Sequence, residues 1–243
     1  MKKKLLIVVL VLIVLVSIFF IINNYFNIMD LSDIFGLNKK ELIRSIEKLE
    51  NDTSVKSLEQ YSVIKTGGDT SISIKKYDTV NKVIYETEGA EDNLSKEEIY
   101  IFKKDNKTYR FYGNEENGFT EDTVWEQSYN ENSEQYIYTS FLDGEKLYSA
   151  VIYIDVDELK EAVSGVKKTY DKDGVVTYEF KYESEGIEPV SYSMTFENGL
   201  ITKASYNNYD SNNKMTRIEA NIELKNINNT VIKIPQTIID MIH

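Results

Sequence analysis

The sequence predicts an α+β fold: a strongly curved, mainly antiparallel sheet with two helices on its concave face, preceded by a single transmembrane helix. Three observations carry this reading. An apolar run, Leu5 to Ile22, interrupted only by Ser17, opens the chain after three lysines. Only two later segments place apolar residues at helical spacing. Nearly everything else alternates with a period of two, in short stretches divided by Asp, Asn and Gly. The expected division is residues 1–23 as cytosolic lysines and anchor, 24–37 as a juxtamembrane connector, and 38–243 as one extracytoplasmic domain.

The anchor comes first. Leu5 to Ile22 is eighteen residues, all apolar except Ser17. As a helix it spans roughly 27 Å, close to the ~30 Å of a hydrocarbon core, and Lys2, Lys3 and Lys4 can snorkel across the difference. A cleaved signal would show a shorter apolar region and small residues at the cut. Here Asn23, Asn24, Tyr25, Phe26 and Asn27 follow, a bulky site, so the expectation is an uncleaved single-pass anchor. The lysines hold its N-terminus in the cytosol and leave the C-terminal part outside the cell membrane. Tyr25 and Phe26 belong at the interface.

The first amphipathic helix is expected over Asn38 to Glu50. Leu42, Ile43, Ile46 and Leu49 mark its apolar face, and Asn38 with Glu41 has the spacing of a reciprocal cap. From Leu58 the period becomes two. Strands are predicted at Gln60–Lys65, Ser71–Lys76, Lys82–Glu88, Glu98–Lys103 and Thr108–Tyr112, with turns at Thr66–Asp69, Asp78–Thr79 and Asp105–Asn106. Gly113 to Thr123 reads as an acidic loop, and Tyr136–Leu142 and Leu147–Ile154 read as two further strands, with a short helix over Ser133–Leu142 as the alternative. A second helix runs from Asp155 to Ser164, with Asp155 and Glu158 as a capping box and Gly165 as its C-terminal stop. Strands then resume at Val166–Tyr170, Val175–Tyr182, Pro189–Phe196, Leu200–Tyr209, Met215–Leu224 and Thr230–Ile234.

Charge and composition exclude several functions. The chain has 28 Lys+Arg against 40 Asp+Glu and a formal charge of −12. The three N-terminal lysines precede every acidic residue. The outer part therefore holds 28 − 3 = 25 cations against 40 carboxylates, a charge of −15. Such a surface repels phosphate backbones, so no nucleic-acid role is expected. With no cysteine there is no disulfide, thiolate metal site, Cys nucleophile or lipid-modified cysteine. An extracellular domain of this size without disulfides suits the envelope of a Gram-positive bacterium.

The layout of membrane signal, helix, strand meander, second helix and closing meander resembles the bacterial lipoprotein-carrier superfamily of LolA and LppX type. Two local phrases carry the likeness. EEIYIFKKDNKTYRFYGNEENGFTEDTVWEQ, Glu97 to Gln127, looks like the family's pair of strands around a small turn, followed by a Gly and a Trp. VIKIP, Val231 to Pro235, is similar to its short closing strand. The resemblance implies a half-barrel of antiparallel sheet closed by helices over an apolar cavity for acyl chains. The chain departs from the lipid-anchored members in lacking a lipobox cysteine, which favours a tethered protein over a soluble shuttle.

Residues that could carry chemistry are few. The one histidine, His243, is terminal, which removes a His-based triad or metal site. Glu115 with Glu121 has the residue types of a glycosidase pair, but forty carboxylates make such pairs inevitable, and solvated surface is the plainer reading. Asp171-Lys172-Asp173-Gly174 looks like the start of a calcium loop without its distal ligands, and reads better as a hairpin turn. No phosphate loop or nucleophile elbow is present. No enzymatic activity, cofactor or metal is expected.

The expected function is therefore that of a membrane-anchored extracytoplasmic binding protein. It holds a lipid or other hydrophobic ligand between sheet and helices, with Ile43, Ile46, Trp125, Leu159 and Val163 lining the cavity or filling it. The alternative is an interaction or sensor module with an envelope protein partner. It would use an acidic surface rich in the chain's eighteen tyrosines and need no cavity.

Overall fold

The structure is a computed structural model that describes residues 36–90, 93–123, 147, 156–183, 189–208 and 218–242. The expected anchor Leu5–Ile22, the interfacial Tyr25 and Phe26, Trp125, the strand Tyr136–Leu142 and His243 lie outside the described residues. Among the described residues no helix is long and apolar enough to cross a membrane.

Among the described residues one antiparallel sheet of eleven strands dominates the fold. Helix α1 (Leu37–Glu50) leads into β1 (Ser57–Thr66), β2 (Asp69–Asp78), β3 (Val83–Ala90), β4 (Asn93–Lys104), β5 (Lys107–Asn114) and β6 (Gly118–Glu121). A second set follows: α2 (Val156–Ala162), β7 (Val163–Tyr170), β8 (Val176–Tyr182), β9 (Val190–Glu197), β10 (Leu200–Asn208), β11 (Ile218–Lys225) and α3 (Gln236–Met241). Each set is a meander. The two join where β1 pairs with β11, giving the order β6-β5-β4-β3-β2-β1-β11-β10-β9-β8-β7.

The sheet is open. It is neither closed nor strongly curled, which corrects the expected half-barrel. The distribution of apolar side chains gives the reason. A half-barrel around one cavity needs a single face that is apolar throughout, whereas here the apolar residues change face along the sheet. On one face, Leu58, Tyr77, Ile84 and Ile101 line up across β1 to β4. They join Tyr178, Phe180, Met194, Phe196 and Leu224 under Leu42, Ile46 and Leu49 of α1 and Val156 and Leu159 of α2. On the opposite face, Val83, Tyr100, Phe102, Phe111 and Phe119 form a second cluster, capped by Ile238 of α3 with Ile232, Ile234 and Ile242. With cores on opposite faces, neither can pull the sheet around itself.

The two-residue turns explain the register. Asp105 and Asn106 at φ 51° and 63° join β4 to β5, and Asn198 and Gly199 at φ 52° and 80° join β9 to β10. Positive φ at both central positions gives the twist that antiparallel strands require, and Asn, Asp and Gly are the residues that tolerate it.

Several boundaries differ from the sequence reading. Asn38 does not cap α1: Gly36 precedes the helix without a side-chain cap, and Asn38 is buried, donating from Nδ2 to the Val166 carbonyl at 3.3 Å. α2 stops at Ala162, and the β-branched Val163 begins β7. Gly165, at φ 59°, therefore sits in a bulge between Ser164 and Lys167 instead of ending the helix. The acidic loop after Gly113 contains β6, which pairs with β5. Leu147, described without its neighbours, is helical and buried in the first core, where a strand was expected. Thr230–Ile234 forms no ladder; it leads into α3, which the sequence reading missed.

Candidate functional site

An apolar trough lies on the α1 and α2 face, over β1, β11, β10 and β9, with a volume of about 530 Å³. Register builds it from rows of facing side chains. One row runs Ser62, Ile222, Ala204, Met194; the next runs Ile64, Ala220, Tyr206, Tyr192; the third carries Ile218, Asn208 and Val190. Ala204 and Ala220 occupy the middle of the first two rows. Their short side chains leave the space that the flanking isoleucines and tyrosines enclose. Met194, Ile201 and Ala220 are each 1 % exposed and form the floor.

A bulge completes that floor. Ile201 and Ala204 are three residues apart, which on a regular strand puts them on opposite faces. The register shift between Ile201 and Lys203 absorbs one residue, so both point into the trough. The polar groups here are amides and hydroxyls, and Gln60 Nε2 donates to Ser62 Oγ at 2.9 Å.

The same face turns polar across β2 to β5. A basin of about 550 Å³ is lined by Ser71, Ser73, Lys75, Glu86, Glu88 and Arg110, among others. Lys75 Nζ and Glu86 Oε1 form an ion pair at 3.0 Å, and Arg110 pairs with Asp122. On the reverse face a shallower hollow of about 360 Å³ is lined by Lys167, Glu179, Ser193, Asn207 and Glu219. There the Asn207 Oδ1 is buried without a hydrogen-bond partner among the described residues.

Inside the second core stands a polar triad. Glu98 accepts from the Tyr85 hydroxyl at 3.0 Å and from the Tyr100 hydroxyl at 3.3 Å. Burial, and then the adjoining Glu98 carboxylate, hold both phenols well above their ordinary range. The tyrosines thus stay protonated and act as donors to the carboxylate.

Of the residues expected to line a cavity or fill it, Ile43, Ile46, Leu159 and Val163 are among the described residues. Ile46, Leu159 and Val163 are packed in the first core, and Ile43 lies against it; none of them lines the trough. Trp125 lies outside the described residues. Glu121 is exposed on β6 and pairs with Lys107 at 3.8 Å, and Glu115 is in the adjacent turn. Asp171 Oδ1 accepts from the backbone N–H groups of Asp173 and Val175 at 2.8 and 2.9 Å, so it organises the β7–β8 turn. Among the described residues no group of three or more His, Asp or Glu is placed to hold a metal ion. The trough residues escaped the sequence reading because β10 spells LITKASYNN, where only the alanine spaced against Tyr206 hints at a hollow.

No family model matches the chain. No curated protein is similar to it. The resemblance to the lipoprotein carriers is therefore not shown. Among solved structures, a DUF1329 family protein from Desulfovibrio piger ATCC 29098 overlays with a TM-score of 0.28 and 9 % identity, over 81 % of this chain and 95 % of that one. That overlay is too loose to carry a shared topology or function.

Proposed function

We propose that the chain is a membrane-anchored binding protein of the bacterial envelope that holds a lipid or other hydrophobic ligand and catalyses no reaction. The trough carries the reading. Its floor is aliphatic, its volume falls in the range of small-molecule pockets, and among the described residues no helix contributes to its lining. Leu5 to Ile22 supplies the tether, with the binding domain outside the cell, where hydrophobic molecules are within reach. The ligand site lies on the sheet itself, beside the helices, since α1 and α2 fill their own interface with packed side chains.

The test is titration of the full chain in detergent with an environment-sensitive alkyl fluorophore, alongside Ala204→Trp. The indole fills the trough at a partly exposed position. Saturable binding by the native chain that the variant loses supports the reading. Equal binding by both, or none by either, overturns it.

A second reading, an envelope interaction module, draws on a different observation. The reverse face of β7 to β11 is polar and carries the Asn207 Oδ1, unpartnered among the described residues, an acceptor that a partner's donor would satisfy. Crosslinking in cells that returns one dominant partner through that face, lost in Asn207→Leu, favours this reading.

A further inference from the structure

The trough and the polar basin share a face, and register fixes how they meet. Ser62 stands between Ile222 of β11 and Ser73 of β2. In the same way, Ile64 stands between Ala220 and Ser71. Ser62 lines the trough and Ser73 lines the basin. Directly opposed residues of antiparallel strands have Cβ atoms roughly 5 Å apart. On that row the wall between the two hollows is two hydroxymethyl groups, with the Gln60 amide bonded to the Ser62 hydroxyl beside it. The hollows are nearly equal, about 530 and 550 Å³.

Their chemistry differs sharply. In the trough, Ile222, Met194 and Ile201 offer only apolar contact. In the basin, Lys75 and Arg110 donate, Glu86, Glu88 and Glu97 accept, and Ser71 and Ser73 do both. A long molecule lying across the serine wall would have one end in hydrocarbon and the other among mixed donors and acceptors.

We propose that trough and basin are two halves of one site for a lipid with an uncharged, hydroxyl-rich head, its tail on Met194 and Ile222 and its head over Ser73 and Glu88. This deepens the ligand reading above and rests on it. The head is specified by hydrogen-bond capacity. A glycosyl hydroxyl both donates and accepts, so it can answer carboxylates, serines and cations together. A phosphate only accepts, and the two cations it would meet, Lys75 and Arg110, are already paired with Glu86 and Asp122, which leaves Glu88 and Glu97 to repel it on a chain of formal charge −12. A lipid without a head group would leave the basin to water and draw nothing from it.

The experiment uses the full chain in detergent and three lipids with identical acyl chains: monoglucosyl diacylglycerol, diacylglycerol and phosphatidylglycerol. Each competes with the alkyl fluorophore. The glucosyl lipid is expected to bind about tenfold tighter than either of the others, the effect of one or two hydrogen bonds to charged groups. Glu88 is exposed, so Glu88→Ala leaves the fold intact. It should bring the glucosyl lipid to within about threefold of diacylglycerol while diacylglycerol itself is unchanged. Ser73→Leu, which raises the wall, should do the same independently. Equal affinity for the glucosyl lipid and diacylglycerol, or tighter binding of phosphatidylglycerol, overturns the shared site and leaves the trough reading standing. Failure of all three lipids to displace a bound fluorophore overturns the shared site alone; failure of the native chain to bind the fluorophore overturns both.

Discussion

The Asn38 side chain donates from Nδ2 to the carbonyl of Val166 at 3.3 Å, joining the first turn of α1 to the edge strand β7 across 128 residues of sequence. Lys39 Nζ reaches the Val163 carbonyl of the same strand at 2.7 Å, and Lys168 pairs with Glu41. An open sheet exposes unpaired carbonyls along its edges, which invite pairing with another chain. Here the helix covers two of them. Asn38→Ala is expected to cost about 1–2 kcal/mol, the loss of one buried hydrogen bond, and to make β7 prone to self-pairing. A urea midpoint checks the first effect, and concentration-dependent sedimentation checks the second.

The second core depends on the C-terminal segment. Ile238 is fully buried against Val83, Phe102, Phe111 and Phe119. Replacing it with Ala should destabilise the protein by about 2–5 kcal/mol, the range for a large side chain removed from a core. Tyr85 and Tyr100 lie on this face, so tyrosine fluorescence should report the transition. An exposed position on the same helix, Ile239, is the control, and its Ala variant should lie within about 0.5 kcal/mol of the native chain.

Gly113 is fixed by contact as well as conformation. At φ 139°, a Cβ built on it would stand 2.2 Å from the Gly118 carbonyl oxygen, a backbone atom that cannot swing away. Gly113→Ala is expected to cost about 2 kcal/mol or more, since steric clash and backbone strain act together. It should act locally. Hydrogen exchange in β6 should accelerate while the amides of β9 and β10 keep their protection.

The Tyr85–Glu98–Tyr100 triad sets an alkaline limit. Both phenols titrate above their ordinary value of 10.0 in the folded chain. Unfolding restores the ordinary value, so above pH 10 the unfolded state has lost protons that the native state retains. Stability is then full below pH 10 and declines as pH rises beyond it. Melting temperature against pH should fall from about pH 10 upward in the native chain. The double variant Tyr85→Phe, Tyr100→Phe should flatten that fall. An unchanged slope would show that the triad is not its source.

Much of the sheet was legible in the sequence because its hairpins are locally specified. Asp105-Asn106 and Asn198-Gly199 announce their turns, and the flanking strands carry β-branched and aromatic residues. The change of apolar face was not legible. In β4, Tyr100, Ile101 and Phe102 are consecutive, and Ile101 packs in one core while its neighbours pack in the other. Where both faces are buried, the period of two vanishes and a strand cannot say which side is inside. α3 was hidden for another reason: six residues after Pro235 are too few to show a helical period. Asn38 had the spacing of a cap, and only the tertiary fold gives its amide a carbonyl from β7. The trough arises from four strands brought side by side, with a bulge that alters which residues share a face. No single segment contains it.

Everything proposed for this protein depends on a hydrophobic molecule lying in the trough over β1, β9, β10 and β11. The most direct measurement is organic extraction and mass spectrometry of the full chain purified from its own membranes, with Ala204→Trp purified in parallel. A defined lipid class should be recovered at about one molecule per native chain and be lost from the variant. Recovery of the same bulk membrane lipids from both, in the same amounts, would contradict it.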